Sequence, residues 1–84
     1  MTTETLPDLT PRQLEILQWI HGYVDSHEYG PTIREIGHSF GWTVNGVMSH
    51  LRPMRRKGVI DWLDGQSRTL RITALGKYVV EMQP

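Results

Sequence analysis

At Gly41-Trp42-Thr43 only three residues separate two helical segments, a glycine that stops the first, a tryptophan, and a threonine placed to cap the second. Upstream, Thr32-Ile33-Arg34-Glu35 is a capping box, in which threonine and the acid three residues on satisfy each other's free backbone N–H groups. Ile33, Ile36 and Phe40 supply the apolar face of a short helix ending at Gly41. Two helices joined by so tight a glycine-containing turn form the helix-turn-helix pattern.

The second of these segments, running over residues 44–57, carries two opposed faces. At about 100° per residue, Val44, Val47, Leu51 and Met54 share one narrow apolar arc. Asn45, Ser49, Arg52 and Arg56 line an arc nearly opposite, with Met48 at its edge. A polar helix face is ordinarily no more than a solvated surface. These residue types have a further use, because Asn reads adenine edges, Ser both donates and accepts, and Arg serves guanine or phosphate. Pro53 cannot donate to the Ser49 carbonyl, an omission costing about 3 kcal/mol in a regular helix interior, and is expected to be tolerated on the exposed side. Gly58 ends the helix, preceded by Arg55, Arg56 and Lys57, cations suited both to a helix C-terminus and to phosphates.

The remainder of the chain frames that pair. Residues 1–8 carry no periodicity and are expected to form a flexible arm. Thr10-Pro11-Arg12-Gln13 opens a first helix by a cap and a proline at its first position, and Leu14, Leu17, Trp19, Ile20, Tyr23 and Val24 give it a broad apolar stripe through about residue 27. After Gly58, residues 59–63 have strand propensity, Asp64-Gly65 is a turn signal, and residues 68–72 alternate polar and apolar. A β-hairpin after the third helix makes a wing over residues 59–72. Thr73 is placed to cap a short last helix through about Met82, which Gly76 weakens. The predicted class is mainly α with a small β-hairpin, a three-helix winged helix-turn-helix over residues 9–72 with a C-terminal extension over 73–84.

Eighty-four residues suffice for one small core, and the absence of cysteine rules out a disulfide framework or cysteine-ligated zinc. No apolar run reaches the length of a membrane span. Net charge is zero, yet residues 1–28 hold five carboxylates against one cation, and residues 29–57 hold five cations against one carboxylate. A dipolar molecule of this kind can turn a basic face to phosphates. His21 and His27, six apart on one helix, do not align as metal ligands, and Ser49 and His50 point about 100° apart, so neither a metal nor a catalytic pair is expected.

LTPRQLEILQWI at 9–20, GPTIREIG at 30–37, SHL at 49–51, RRKGVI at 55–60 and DGQSRTLRI at 64–72 together resemble the N-terminal DNA-binding domain of the LexA repressors. The resemblance implies that Thr43 caps the recognition helix, that Asn45 reads bases, and that Gly46, Met48 and Ser49 occupy neighbouring contact positions. This chain departs from many members at Met48 and Ser49, so a different operator is expected, and the turn before Thr43 looks one residue shorter. LexA repressors continue into a self-cleaving protease domain that also holds the dimer together, for which residues 73–84 have no counterpart. The chain is expected to be either a stand-alone regulator or a fragment of a longer one. Residues 73–77 are also similar to the L-T-x-x-G segment after the wing of MarR-type regulators.

The resulting expectation is a double-stranded-DNA-binding transcriptional regulator, a repressor and not an enzyme, cytoplasmic in a prokaryote or encoded by a phage, and needing no cofactor. Asn45, Gly46, Met48, Ser49 and Arg52 are the candidate base readers. Thr32, Thr43, Arg55, Arg56, Lys57, Gln66, Ser67 and Arg68 are the candidate backbone contacts. One module covers few base pairs, so two copies on a symmetric or tandem site are expected. The alternatives are a winged-helix protein-interaction module without DNA binding, favoured by the zero net charge and the unusual Gly46-Val47-Met48 run, and the amino-terminal part of a self-cleaving repressor.

Overall fold

The structure, a computed structural model, describes residues 8–82. Four helices, α1 (Pro11–His27), α2 (Ile33–Phe40), α3 (Val44–Arg56) and α4 (Ala74–Glu81), surround a two-stranded antiparallel sheet of β1 (Ile60–Asp61) and β2 (Arg71–Ile72). This is the winged helix-turn-helix arrangement that the sequence predicts. The expected arm over 1–8 lies outside the described residues except for Asp8. No helix among the described residues is long and apolar enough to cross a membrane.

Local chemistry sets every helix start. Thr10, Thr32, Thr43 and Thr73 each accept the N–H three residues on, and Gln13 and Glu35 complete the reciprocal bond at α1 and α2. Gly41, at φ 76°, ends α2 in the left-handed conformation that glycine adopts without a Cβ penalty. At the end of α3 the Val59 N–H reaches the Met54 carbonyl at 3.3 Å and the Gly58 N–H reaches Arg55 at 3.0 Å, the paired bonds of a Schellman stop. Val59 and Met54 are both fully buried there.

Ile16, Leu17 and Ile20 of α1, Ile36 of α2, and Val47, Leu51 and Met54 of α3 meet Val59, Ile60, Leu70 and Val79 in one core. Ile16 was not part of the predicted stripe, although it is wholly buried. Val44 corrects the predicted apolar arc in the other direction. It opens α3 with no preceding turn to cover it and stays 48% exposed. Gly76, which weakened the expectation of α4, is what allows that helix to dock. A Cβ there would lie 2.0 Å from the Val59 carbonyl oxygen, so only glycine permits the approach.

The wing strands are shorter than predicted over 59–63 and 68–72. Beyond Asp61 and Arg71 the ladder is replaced by side-chain bonds. The Thr69 hydroxyl accepts the Leu63 N–H at 2.9 Å, and the Trp62 carbonyl accepts Arg55 Nη2 at 2.8 Å. Residues 62–70 are therefore held by side chains from outside the sheet rather than by strand pairing.

Candidate nucleic-acid interface

Asn45, Ser49, Arg52 and Arg56 are all exposed on α3 and recur at helical spacing, forming a single stripe about 16 Å long. Asn45, Arg52 and Arg56 make no hydrogen bond or ion pair within the described residues. Ser49 donates its hydroxyl to the Gly46 carbonyl at 2.7 Å, which leaves its oxygen lone pairs free to accept. Thr43 shows the converse pattern. Its oxygen accepts the Gly46 N–H at 3.1 Å and its own proton stays available to donate. Gly46 lies half-buried behind the stripe beside Trp42.

Two concavities flank α3. A groove of about 260 Å³ lies between the start of α2 and the wing, and Thr32, Met48, Gln66 and Ser67 share its lining with Ile33 and Leu63. With Arg68, which also lines it, five predicted site residues from three separate stretches of the chain therefore face one space. A shallower concavity of about 510 Å³ lies at the opposite side of the start of α3, lined by Arg34, His38, Trp42, Thr43 and Val44. Neither Arg34 nor His38 was singled out from sequence, although both are exposed on α2 without a hydrogen-bond or ion-pair partner among the described residues. The signal was present: at about 100° per residue Arg34 falls well away from the Ile33, Ile36 and Phe40 face of α2, so it had to face solvent.

Three cations predicted for the phosphate backbone are already engaged. Arg55 bonds Asp61 at 3.0 Å, Asp64 at 3.3 Å and the Trp62 carbonyl, with its guanidinium 4.2 Å from the centre of the Trp62 ring. The Trp62 N–H, then Arg55, hold the Asp61 carboxyl below its ordinary range. Lys57 donates to Gln13 Oε1 at 2.9 Å and to the Asp8 carbonyl, fastening the end of α3 to the start of α1. Arg68, at φ 61°, turns inward from the wing and chelates Glu35 through Nη1 and Nη2, both at 3.2 Å. The Glu35 carboxyl also accepts the Thr32 N–H and the Tyr23 hydroxyl, and the Thr32 bond followed by Arg68 lowers its pKa to about 2.

The free surface thus consists of the α3 stripe, Arg34 and His38 on α2, and the wing tip at Gln66-Ser67. Among known families, the LexA DNA binding domain matches residues 6–69. The chain is 37% identical over 68 residues to a LexA repressor of Thermotoga maritima, covering 81% of this chain and 34% of the relative. It is 40% identical over 67 residues to a LexA repressor of Leptospira biflexa, covering 80% and 33%. With the transcription regulator LexA of a Synechocystis species it shares 37% over 65 residues, covering 76% and 32%. The chain therefore spans about a third of the length of the curated relatives it matches.

Proposed function

The chain belongs to the LexA DNA binding domain family, and from that premise we propose that it binds double-stranded DNA sequence-specifically and represses transcription by occupying its site, without catalysing a reaction. The observation that carries this reading is the stripe of Asn45, Ser49, Arg52 and Arg56, exposed on α3 and, except for the Ser49 bond to Gly46, uncommitted within the fold. A cationic, amide-bearing helix face whose Asn and Arg side chains have no partners among the described residues offers bidentate hydrogen bonds to base edges and charge to phosphates.

In this reading α3 lies in the major groove. Asn45 and Ser49 meet base edges, Met48 offers an apolar contact suited to a thymine methyl, Arg52 serves guanine or phosphate, and Gly46 makes room for Trp42 and the Thr43 cap behind them. Arg56 and Arg34 neutralise phosphates, Thr43 and Thr32 donate their hydroxyl protons to the backbone, and Gln66 and Ser67 touch it from the wing. Arg55, Lys57 and Arg68, partnered in the free protein, are left to hold the elements together. Two copies on a symmetric or tandem site would extend the sequence read, and such a regulator would work in the cytoplasm of a prokaryote or of a phage-infected cell. The chain's coverage of its relatives favours a second reading beside this one, in which the same module is the amino-terminal part of a longer repressor. Both place the same demands on α3.

The test is a selection of bound sequences from random duplex DNA, followed by competition between the selected site and its single-base variants. Asn45→Ala should melt normally and lose about 1–3 kcal/mol of preference at one base pair, an A·T. Normal melting with full preference at every position would remove Asn45 as a reader. Absence of any selected site for the wild type would favour a protein-interaction module instead.

A further inference from the structure

We propose that Arg68 and Glu35 are positioning residues, whose ion pair locks the wing tip to the start of α2, and that Arg68 does not itself contact DNA. The inference rests on the DNA-binding reading above and assigns these two residues a task within it.

The wing needs such a device. Its sheet has only two residue pairs, Ile60 with Ile72 and Asp61 with Arg71, and nine residues run beyond them. Arg55 fixes the outgoing arm by reaching from α3 to Asp61, Trp62 and Asp64. The returning arm is fixed by Arg68, which comes directly after the two tip residues, Gln66 and Ser67, that line the groove. Its backbone adopts the left-handed conformation, disfavoured for a residue with a Cβ, and this aims the side chain back across the groove mouth.

At the far side a receiving site is built. Glu35 Oε1 accepts the Thr32 N–H at 2.8 Å and the Tyr23 hydroxyl at 3.1 Å, so α1 and the cap of α2 orient the carboxylate. Arg68 then approaches in the paired fork geometry that suits guanidinium and carboxylate. Its Nη1 also lies 3.1 Å from the Tyr23 oxygen and 3.4 Å from the Gly30 carbonyl, and its guanidinium sits 4.8 Å from the centre of the Tyr29 ring. With both Nη1 protons and one of Nη2 committed, the guanidinium has only Nε and one Nη2 proton left for an incoming phosphate. With the Glu35 pKa at about 2, the carboxylate keeps its charge well into acid.

The opposite roles predict opposite results for one substitution. Glu35→Gln keeps a side chain that can cap α2 and accept from Tyr23, but removes the charge that holds Arg68. If the pair positions the wing, Glu35→Gln and Arg68→Gln each weaken binding to the selected duplex about fivefold, and the double variant is no weaker than either. The salt slope and the base preferences read by α3 stay at wild-type values, while hydroxyl-radical protection of the backbone under the wing is lost. Arg68→Lys, which keeps the charge and loses the fork, should weaken binding as well, and serves should Arg68→Gln melt too low to assay. The proposal is overturned if Glu35→Gln leaves affinity unchanged or raises it while Arg68→Gln weakens binding and flattens the salt slope by about 0.9, the signature of a phosphate contact. If the wild type selects no DNA, the underlying reading fails first and the positioning role falls with it.

Discussion

The partners of each cation allow the salt dependence of DNA binding to be worked out in advance. In α2, α3 and the wing, Arg34, Arg52 and Arg56 alone among the described cations lack an intramolecular ion pair or hydrogen bond. Each phosphate neutralised contributes about −0.9 to the slope of log affinity against log salt, so three free arginines give about −2.7 per protomer. If Arg55, Lys57 and Arg68 also reached phosphates, the slope would be about −5.4. Between 50 and 200 mM salt the two cases predict losses of about 40-fold and about 2,000-fold per protomer, which fluorescence anisotropy on a labelled duplex separates easily. Stoichiometry measured on the same duplex sets the number of protomers. Arg56→Ala should reduce the slope by about 0.9 with little change in melting. Arg55→Ala should leave the slope alone but lower the melting temperature, because an arginine with two carboxylate partners and an indole face is lost. A wild-type slope steeper than about −4 per protomer, or equal flattening by Arg55→Ala and Arg56→Ala, would refute this division of the cations.

Two further outcomes test the fold that presents the interface. Gly22→Ala, with open space where its Cβ would go, should stabilise α1 by about 1 kcal/mol. The same change at Gly76 places a Cβ 2.0 Å from the Val59 carbonyl oxygen and 2.8 Å from Ile72 Cγ2, and should cost about 3 kcal/mol or more by denaturant melting; equal effects at the two sites would show that α4 is not docked as described. In acid, Glu35 contributes stability that is complete above its ordinary pKa near 4.5 and is lost as pH falls toward about 2, because its folded-state pKa is depressed. Urea midpoints should therefore fall through that window in the wild type and fall less in Glu35→Gln.

What could be read from the sequence was what depends on neighbours along the chain. The four threonine caps, the glycine stop at Gly41 and the outward arc of Asn45, Ser49, Arg52 and Arg56 follow from spacing alone, and the structure reproduces them. What could not be read was whatever required a partner from elsewhere in the fold. Arg55, Arg56 and Lys57 look equivalent as a run, but Arg56 is free, Arg55 faces the wing and Lys57 reaches α1, across 44 residues to Gln13. Glu35 was legible as a cap, yet nothing nearby announced Arg68, 33 residues away. Gly76 was misjudged for the same reason. Helix propensity counted against it, while its value lies in the carbonyl of Val59 that it allows to approach. Val44 and Ile16 erred in opposite directions because periodicity assigns an angle but not what stands opposite it.

Zero net charge argues against a nucleic-acid partner, and the ion pairs change its meaning. Arg12 with Glu15, Arg55 with Asp61 and Asp64, Arg68 with Glu35, and Arg71 with Asp61 cancel locally and project little field. Of the cations outside these pairs, Arg34, Arg52, Arg56 and Lys57 lie on or next to α2 and α3, and Lys77 lies on α4. The described carboxylates outside them, Asp8, Asp25, Glu28 and Glu81, lie on or beside α1 and α4. Pairing therefore removes mostly charges that would blur the asymmetry and leaves a positive helix-turn-helix opposed to a more acidic remainder. The field that survives orients the domain toward an anionic duplex without the non-specific grip of an overall basic protein. On the proposed reading, specificity would come from the few groups on the stripe of α3, and Asn45, Arg52 and Arg56 are open to that role because they have no partner among the described residues.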